Sequence, residues 1–184
     1  MRKAKAPPNH RAGAPNAVFP APGHDHDRCL NDAMAIAEAQ CIERGQRLTT
    51  IRRDVLAALL ASHQPLGAYE IMERVTPKRP RPAPITVYRA LEFLRDNGLV
   101  HRIESCNAFI ACVHTHVDGD PVVFLICERC GAVGEAALPT LAATIKSAAR
   151  AAGFTPKSPV IEISGICTHC GGWTPDDRGG IKSH

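Results

Sequence analysis

Four of the eight cysteines in this 184-residue chain fall into two CxxC pairs, Cys127-Glu128-Arg129-Cys130 and Cys167-Thr168-His169-Cys170. A CxxC turn aims two sulfurs at one point, and two such turns complete a tetrahedron of soft ligands about 2.3 Å from a zinc ion. Cys127, Cys130, Cys167 and Cys170 therefore read as a closed structural zinc site. A redox motif needs only one such pair. A four-thiolate site has no open position for substrate, so it implies stability and not catalysis. Enzyme signatures built on zinc are missing: no HxE occurs, neither CxxC follows a proline, and there is no HExxH. An enzyme is not expected.

Composition narrows the setting. A formal net charge of +4 permits a nucleic-acid partner without requiring one. Aromatic residues make up only 4% of the chain, so aliphatic and alanine side chains must fill the core. With no leader-like start, the paired cysteines imply reduced thiols and a cytoplasmic location. No apolar run approaches the length of a membrane span.

The elements that must carry these residues follow in order. Residues 1–27 are crowded with Pro, Ala and Gly and read as a disordered tail. The spacing of Leu30, Ala33, Met34, Ala37 and Cys41 predicts a helix from about Arg28 to Arg44, ended by Gly45. A second helix is expected over Thr50–Ser62 with Thr49 as N-cap and Ile51, Val55, Leu56, Leu59 and Leu60 inward. A short third, Ala68–Val75, buries Ile71, Met72 and Val75. The proline-rich arm from Thr76 to Pro84 is either a linker or a phosphate contact. A fourth helix spans Ile85–Asp96, with Val87, Leu91 and Leu94 buried and Thr86, Tyr88, Arg89 and Arg95 outward. Strands Leu99–Ile103 and Ala108–Cys112 form a hairpin. Helices followed by a hairpin make a winged helix-turn-helix, in which the last helix enters the major groove. A polar loop, 113–121, leads to strands Val122–Ile126, Ala132–Ala136 and Val160–Ser164 around a helix from Pro139 to about Ala152. The fold class is thus α+β: a winged-helix DNA-binding domain (28–112), a hinge loop (113–121), a small α/β domain stapled by zinc (122–173) and a tail (174–184).

The text from about Cys41 to Cys170 resembles the ferric uptake regulator (Fur) family, and within it the zinc uptake regulators. The resemblance is carried by Arg47-Leu48-Thr49, by Pro84-Ile85-Thr86-Val87-Tyr88-Arg89-Ala90-Leu91, by Leu99 to Ser105, by Phe124 to Gly131 and by the Cys167/Cys170 pair. It implies a homodimeric, metal-sensing transcription factor whose C-terminal domain dimerises. Tyr88 and Arg89 fall on the family's groove-contacting pair, with Thr86 beside them, and Thr49 and Arg52 resemble residues that approach the phosphate backbone. An arginine can read guanine bidentately, and a tyrosine can meet a thymine methyl or a phosphate.

The same resemblance implies a second, regulatory zinc site at the junction of the two halves. His101, Cys112 and Glu135 resemble the zinc regulators' ligands by spacing. The fourth departs from the pattern: Asp120 stands where the usual histidine would fall, and His114 and His116 come earlier in the same loop, so either His116 or Asp120 completes the set. A thiolate among the ligands favours zinc, and the stretch before Cys127 is apolar rather than histidine-rich. The expectation is one structural and one regulatory zinc per subunit and a zinc-responsive repressor of zinc-uptake genes that binds operator DNA as a dimer, with no small-molecule substrate. An iron- or manganese-responsive regulator of the same family is the alternative.

Overall fold

The computed structural model describes residues 18–19, 26–62, 64–76, 82–112, 121–136, 138–156 and 159–171. Most of both expected tails, the middle of the proline arm and residues 113–120 of the hinge loop lie outside them. So do His114, His116 and Asp120.

The N-terminal half is a helical bundle closed by a hairpin. Helices α1 (His26–Glu43), α2 (Thr50–Leu60), α3 (Ala68–Val75) and α4 (Pro84–Asp96) precede strands β1 (Val100–Ile103) and β2 (Ala108–Ala111). The expected apolar stripes meet in one core: Cys41, Val55, Leu56, Leu59, Ile71, Val75, Val87, Leu91 and Leu94 are buried there. Helix α1 starts at His26, two residues before the expected start and inside the stretch read as tail. Leu66, between α2 and α3, exchanges two backbone hydrogen bonds with Phe109 of β2. That bridge ties the hairpin to the bundle and makes it a wing.

Helix α4 stops at Asn97-Gly98. Gly98 has φ +70°, and the amides of Gly98 and Leu99 donate back to the carbonyls of Arg95 and Leu94. Such a reversal needs the left-handed conformation that glycine adopts without penalty. The chain therefore passes from helix into β1 with no slack. Between the wing strands, Glu104–Cys106 form one 3-10 turn.

The C-terminal half is a three-stranded sheet in the order β4-β3-β5, from β3 (Val122–Cys127), β4 (Val133–Ala136) and β5 (Val160–Gly165). β3 runs antiparallel to β4 and parallel to β5. Helix α5 (Pro139–Ala151) makes the crossover, and a four-residue helix, α6 (Thr168–Gly171), was not foreseen. In the register, Phe124 pairs with Glu135 on one side and Glu162 on the other. Paired residues share a face, so these three form a row across the sheet.

The wing lies on that face. Ile103 and Ile110 from the wing pack with Val122, Phe124, Val133 and Ile126 in a second apolar cluster. Val18 reaches the sheet too: a Cβ on Gly134 would stand 2.7 Å from Val18 Cγ1 and 2.7 Å from its carbonyl oxygen. Glycine is there because another stretch of backbone comes that close. Helix α5 has no fully buried residue, and Leu138, Phe154, Val160, Ile163 and Ile166 are exposed. Of the expected stripe, Leu141 and Ile145 are half-buried and Ala148 and Ala152 are exposed within one chain.

Candidate metal centres and nucleic-acid face

Parallel pairing of β3 with β5 brings the two CxxC pairs to one end of the sheet. Cys127 is the last residue of β3 and pairs with Gly165, the last of β5. Glu128 N–H then donates to Gly165 O at 2.9 Å, Gly131 N–H to Cys127 O at 2.8 Å, and Cys170 and Gly171 N–H to Cys167 O at 3.0 and 2.9 Å. Both turns are thus closed, with the sulfurs pointed together. The four ligand atoms lie within 4.8 Å of one another, and Cys130 Sγ and Cys167 Sγ stand 3.8 Å apart. A tetrahedron of sulfurs about 2.3 Å from zinc has edges of about 3.8 Å, so the residues fit the ion. Among the described residues no disulfide joins them.

The local electrostatics agree. The amides of Cys167, first, and Cys130 are directed at Cys127 Sγ and hold that thiol down to about 6. Cys170 shares hydrogen bonds with Cys130 and Cys167 and sits beside the Cys127 charge, which pushes it up to about 12. Four sulfurs gathered this closely suit a divalent cation, whose charge offsets that of its thiolate ligands. An Arg129 guanidinium N–H donates to the Cys170 carbonyl, and Gln64, from the helical half, donates Nε2–H to Cys130 O at 2.6 Å.

His101 from β1, Cys112 just past β2 and Glu135 from β4 form a second cluster, their ligand atoms also within 4.8 Å of one another. Two of them ride on the wing and the third on the sheet. Cys112 N–H bonds Leu99 O at 2.9 Å, which extends the hairpin ladder by one pair and fixes Cys112 beside His101. The His101 ring stands edge-on to Phe124 at 5.2 Å between centroids. Burial pushes the Glu135 carboxyl up to about 7. Imidazole, thiolate and carboxylate are a donor set suited to zinc, and a modest contraction would reach tetrahedral edges. Both sequence-selected constellations are therefore brought together, apart from the fourth regulatory ligand, whose candidates His116 and Asp120 lie outside the described residues.

Helix α4 presents the other chemistry. Its buried side faces the core, and Tyr88, 47% exposed, and Arg89 stand on the solvent side with Thr86 half-buried. Thr49 takes the N-cap position of α2, with its hydroxyl not engaged in a cap bond. Arg52 is placed otherwise than a free phosphate arm: its guanidinium lies 3.3 Å from the Phe93 ring centroid and donates to Arg47 O at 2.7 Å. Cation–π stacking holds it as a brace between α2 and α4. Tyr69, which the sequence reading passed over, is 67% exposed and borders a small cleft with Tyr88. Its signal was available: a large aromatic residue off the buried stripe of α3.

The ferric uptake regulator family model matches residues 43–164. The zinc uptake regulation protein of Escherichia coli K12 is 34% identical over 142 residues, covering 76% of this chain and 81% of that protein. A solved zinc uptake regulator complexed with zinc and DNA is 32% identical over 76% of this chain and 93% of its own, with a TM-score of 0.71. The crystal structure of holo XcZur is 40% identical over 78% of this chain and 99% of its own, also with a TM-score of 0.71.

Proposed function

Because the chain belongs to the ferric uptake regulator family, we propose that it is a zinc-responsive transcriptional repressor of zinc-uptake genes that binds operator DNA as a homodimer. The observation that carries this reading is the convergence of His101, Cys112 and Glu135 on one point between the wing and the sheet. The relatives named above include a zinc uptake regulation protein and a zinc uptake regulator solved with zinc and DNA. We take residues 28–112 as the DNA-binding unit and 122–173 as the dimerising unit, hinged at 113–121. Among the described residues no helix is long and apolar enough to cross a membrane. A cytoplasmic location and the lack of a catalytic activity belong to the same reading.

Cys127, Cys130, Cys167 and Cys170 would hold the structural zinc. His101, Cys112 and Glu135 would hold the regulatory one, with His116 or Asp120 as the fourth ligand. Bound there, zinc supplies a cross-link between the wing and the sheet. The chain's own residues do the rest. The wing is continuous with α4 through Gly98 and Leu99, so fixing the wing fixes the direction of Tyr88 and Arg89. Thr86 and Tyr69 border the same face, and Thr49 flanks it towards the phosphates, while Arg52 braces α2 against α4 behind it. A second copy of the chain, laid on β5 and α5, would cover Val160, Ile163 and Ile166 and double the reading heads for a two-fold operator.

A duplex selected from a random pool by zinc-loaded protein serves as the probe. DNA binding should rise as zinc is titrated into protein that retains only its four-cysteine zinc, and Cys112→Ser and His101→Ala should lose the response. Zinc-independent binding by the wild-type protein would overturn the reading. Tighter binding with Fe²⁺ or Mn²⁺ than with Zn²⁺ would transfer it to another metal.

A further inference from the structure

The regulatory cluster attaches the root of the wing to the sheet, and one attachment leaves the wing free to pivot. Its far end has an attachment of a different kind. Glu162 Oε1 accepts the Glu104 N–H at 2.7 Å, and Glu162 Oε2 accepts the Ser105 N–H at 3.1 Å. Those amides open the 3-10 turn at the wing tip, where N–H groups find no partner within the turn itself. A carboxylate taking both is a charge-assisted, two-pronged contact. Burial draws the Glu162 pKa upward, but the Ser105 hydroxyl and the two amides outweigh it, so the carboxyl lies below its ordinary value.

Geometry links this contact to the metal cluster. Glu135 and Glu162 flank Phe124 in one cross-sheet row, roughly 10 Å from end to end at the usual strand spacing. The wing lies along that row. His101 and Cys112 meet Glu135 at one end, the His101 ring and Ile103 pack on Phe124 and its neighbours in the middle, and Glu104 and Ser105 meet Glu162 at the other. Two anchors on a rigid hairpin determine an angle where one determines only a point.

We propose that Glu162 is a positioning residue of the metal response: a carboxylate clasp that holds the wing tip on the sheet and acts jointly with the His101–Cys112–Glu135 cluster to orient α4. This rests on the reading of the protein as a metal-responsive DNA binder. Among the described residues, the two hydrogen bonds of the clasp go to Glu104 and Ser105, neither of them a candidate metal ligand or DNA-reading residue. It biases the arrangement in which both anchors are closed, so by linkage it strengthens metal capture at the junction and DNA binding by the same route.

The test compares wild type, Glu162→Ala, Glu162→Gln, Ser105→Pro and the double variant Glu162→Ala/Ser105→Pro. The probe is the same selected duplex, titrated with zinc. In Glu162→Ala the zinc needed for half-maximal DNA binding should rise about tenfold, equivalent to about 1.4 kcal/mol of coupling. Glu162→Gln, which keeps one acceptor, should fall between. Ser105→Pro deletes one of the amides, and the double variant should be no worse than the more affected single variant. Four-cysteine zinc content, read by metal analysis, should stay at the wild-type value throughout. An unchanged zinc response in Glu162→Ala, or strictly additive effects in the double variant, would overturn the proposal. So would a loss of four-cysteine zinc in parallel with the response, since that would make Glu162 a plain structural brace. Wild-type binding indifferent to zinc would instead sink the parent reading, and it shows in the same assay.

Discussion

Acidification from pH 8 to pH 6 should weaken zinc capture at the junction by about tenfold through Glu135 alone. The carboxyl must be ionised to ligate, and burial raises its pKa to about 7 in the metal-free protein. A group with that pKa is about ten-elevenths ionised at pH 8 and about one-eleventh at pH 6. The ratio is about ten, whereas an ordinary glutamate would change by only a few per cent over the same range. His101 and Cys112 also exchange protons with metal, so the informative quantity is a difference. Zinc affinity is measured by competition with a chromogenic chelator, on protein whose four-cysteine site stays filled, for wild type and Glu135→Gln. The wild-type to variant affinity ratio should fall about tenfold between pH 8 and pH 6; a ratio flat with pH would refute the reasoning. Stability gives an independent check on the sign. With its folded pKa above the unfolded value near 4.5, Glu135 binds more protons in the folded state across that window. Its stabilising contribution is complete below about pH 4.5 and is lost as pH rises through about 7. Without junction metal, Glu135→Gln should therefore gain in melting temperature over wild type at pH 8 and lose that advantage at pH 5.

Three further outcomes are expected. Cys127→Ser should lose the four-cysteine zinc and the cooperative melt of the sheet, since a structural zinc contributes on the order of 10 kcal/mol to small domains; Cys112→Ser should keep both and lose only the zinc response, and equal destabilisation of the two would contradict the division of roles. Arg89→Glu should lower affinity for the selected duplex by at least about tenfold, because a bidentate base contact contributes about 1–3 kcal/mol and the charge reversal adds repulsion; fluorescence anisotropy measures it. Gly134→Ala should destabilise by about 1–3 kcal/mol through overpacking, or expel the segment at Val18, which limited proteolysis near the N-terminus would detect.

The helices and strands were legible because their apolar residues repeat at helical or strand spacing over long enough windows. Helix α6 was not, since four residues hold no period. Cys127, Cys130, Cys167 and Cys170 could be read from local spacing alone. His101, Cys112 and Glu135 could not: they come from β1, from the residue after β2 and from β4, and only family resemblance picked them out before the fold brought them together. Glu162 carried no signal, because its partners are backbone amides freed by a turn that only the folded wing supplies. Arg52 looked like any exposed helical arginine until Phe93 proved to lie beneath it. The strand order and the half-covered stripe of α5 depend on a crossover and on a neighbouring surface that no single segment encodes.

The slack-free passage at Gly98 has a mechanical consequence. Helix α4 and the wing form one crank, with His101 and Cys112 near the axle and Arg89 out on the arm. From Gly98 to Arg89 the arm is about 13 Å long at about 1.5 Å per residue. Turning it by about 10° carries Arg89 through about 2 Å, while the useful range of a hydrogen bond spans only about 0.5 Å. A sub-ångström adjustment among His101, Cys112 and Glu135 is thus amplified, along a covalent path of backbone, past the tolerance of a hydrogen bond made by Arg89.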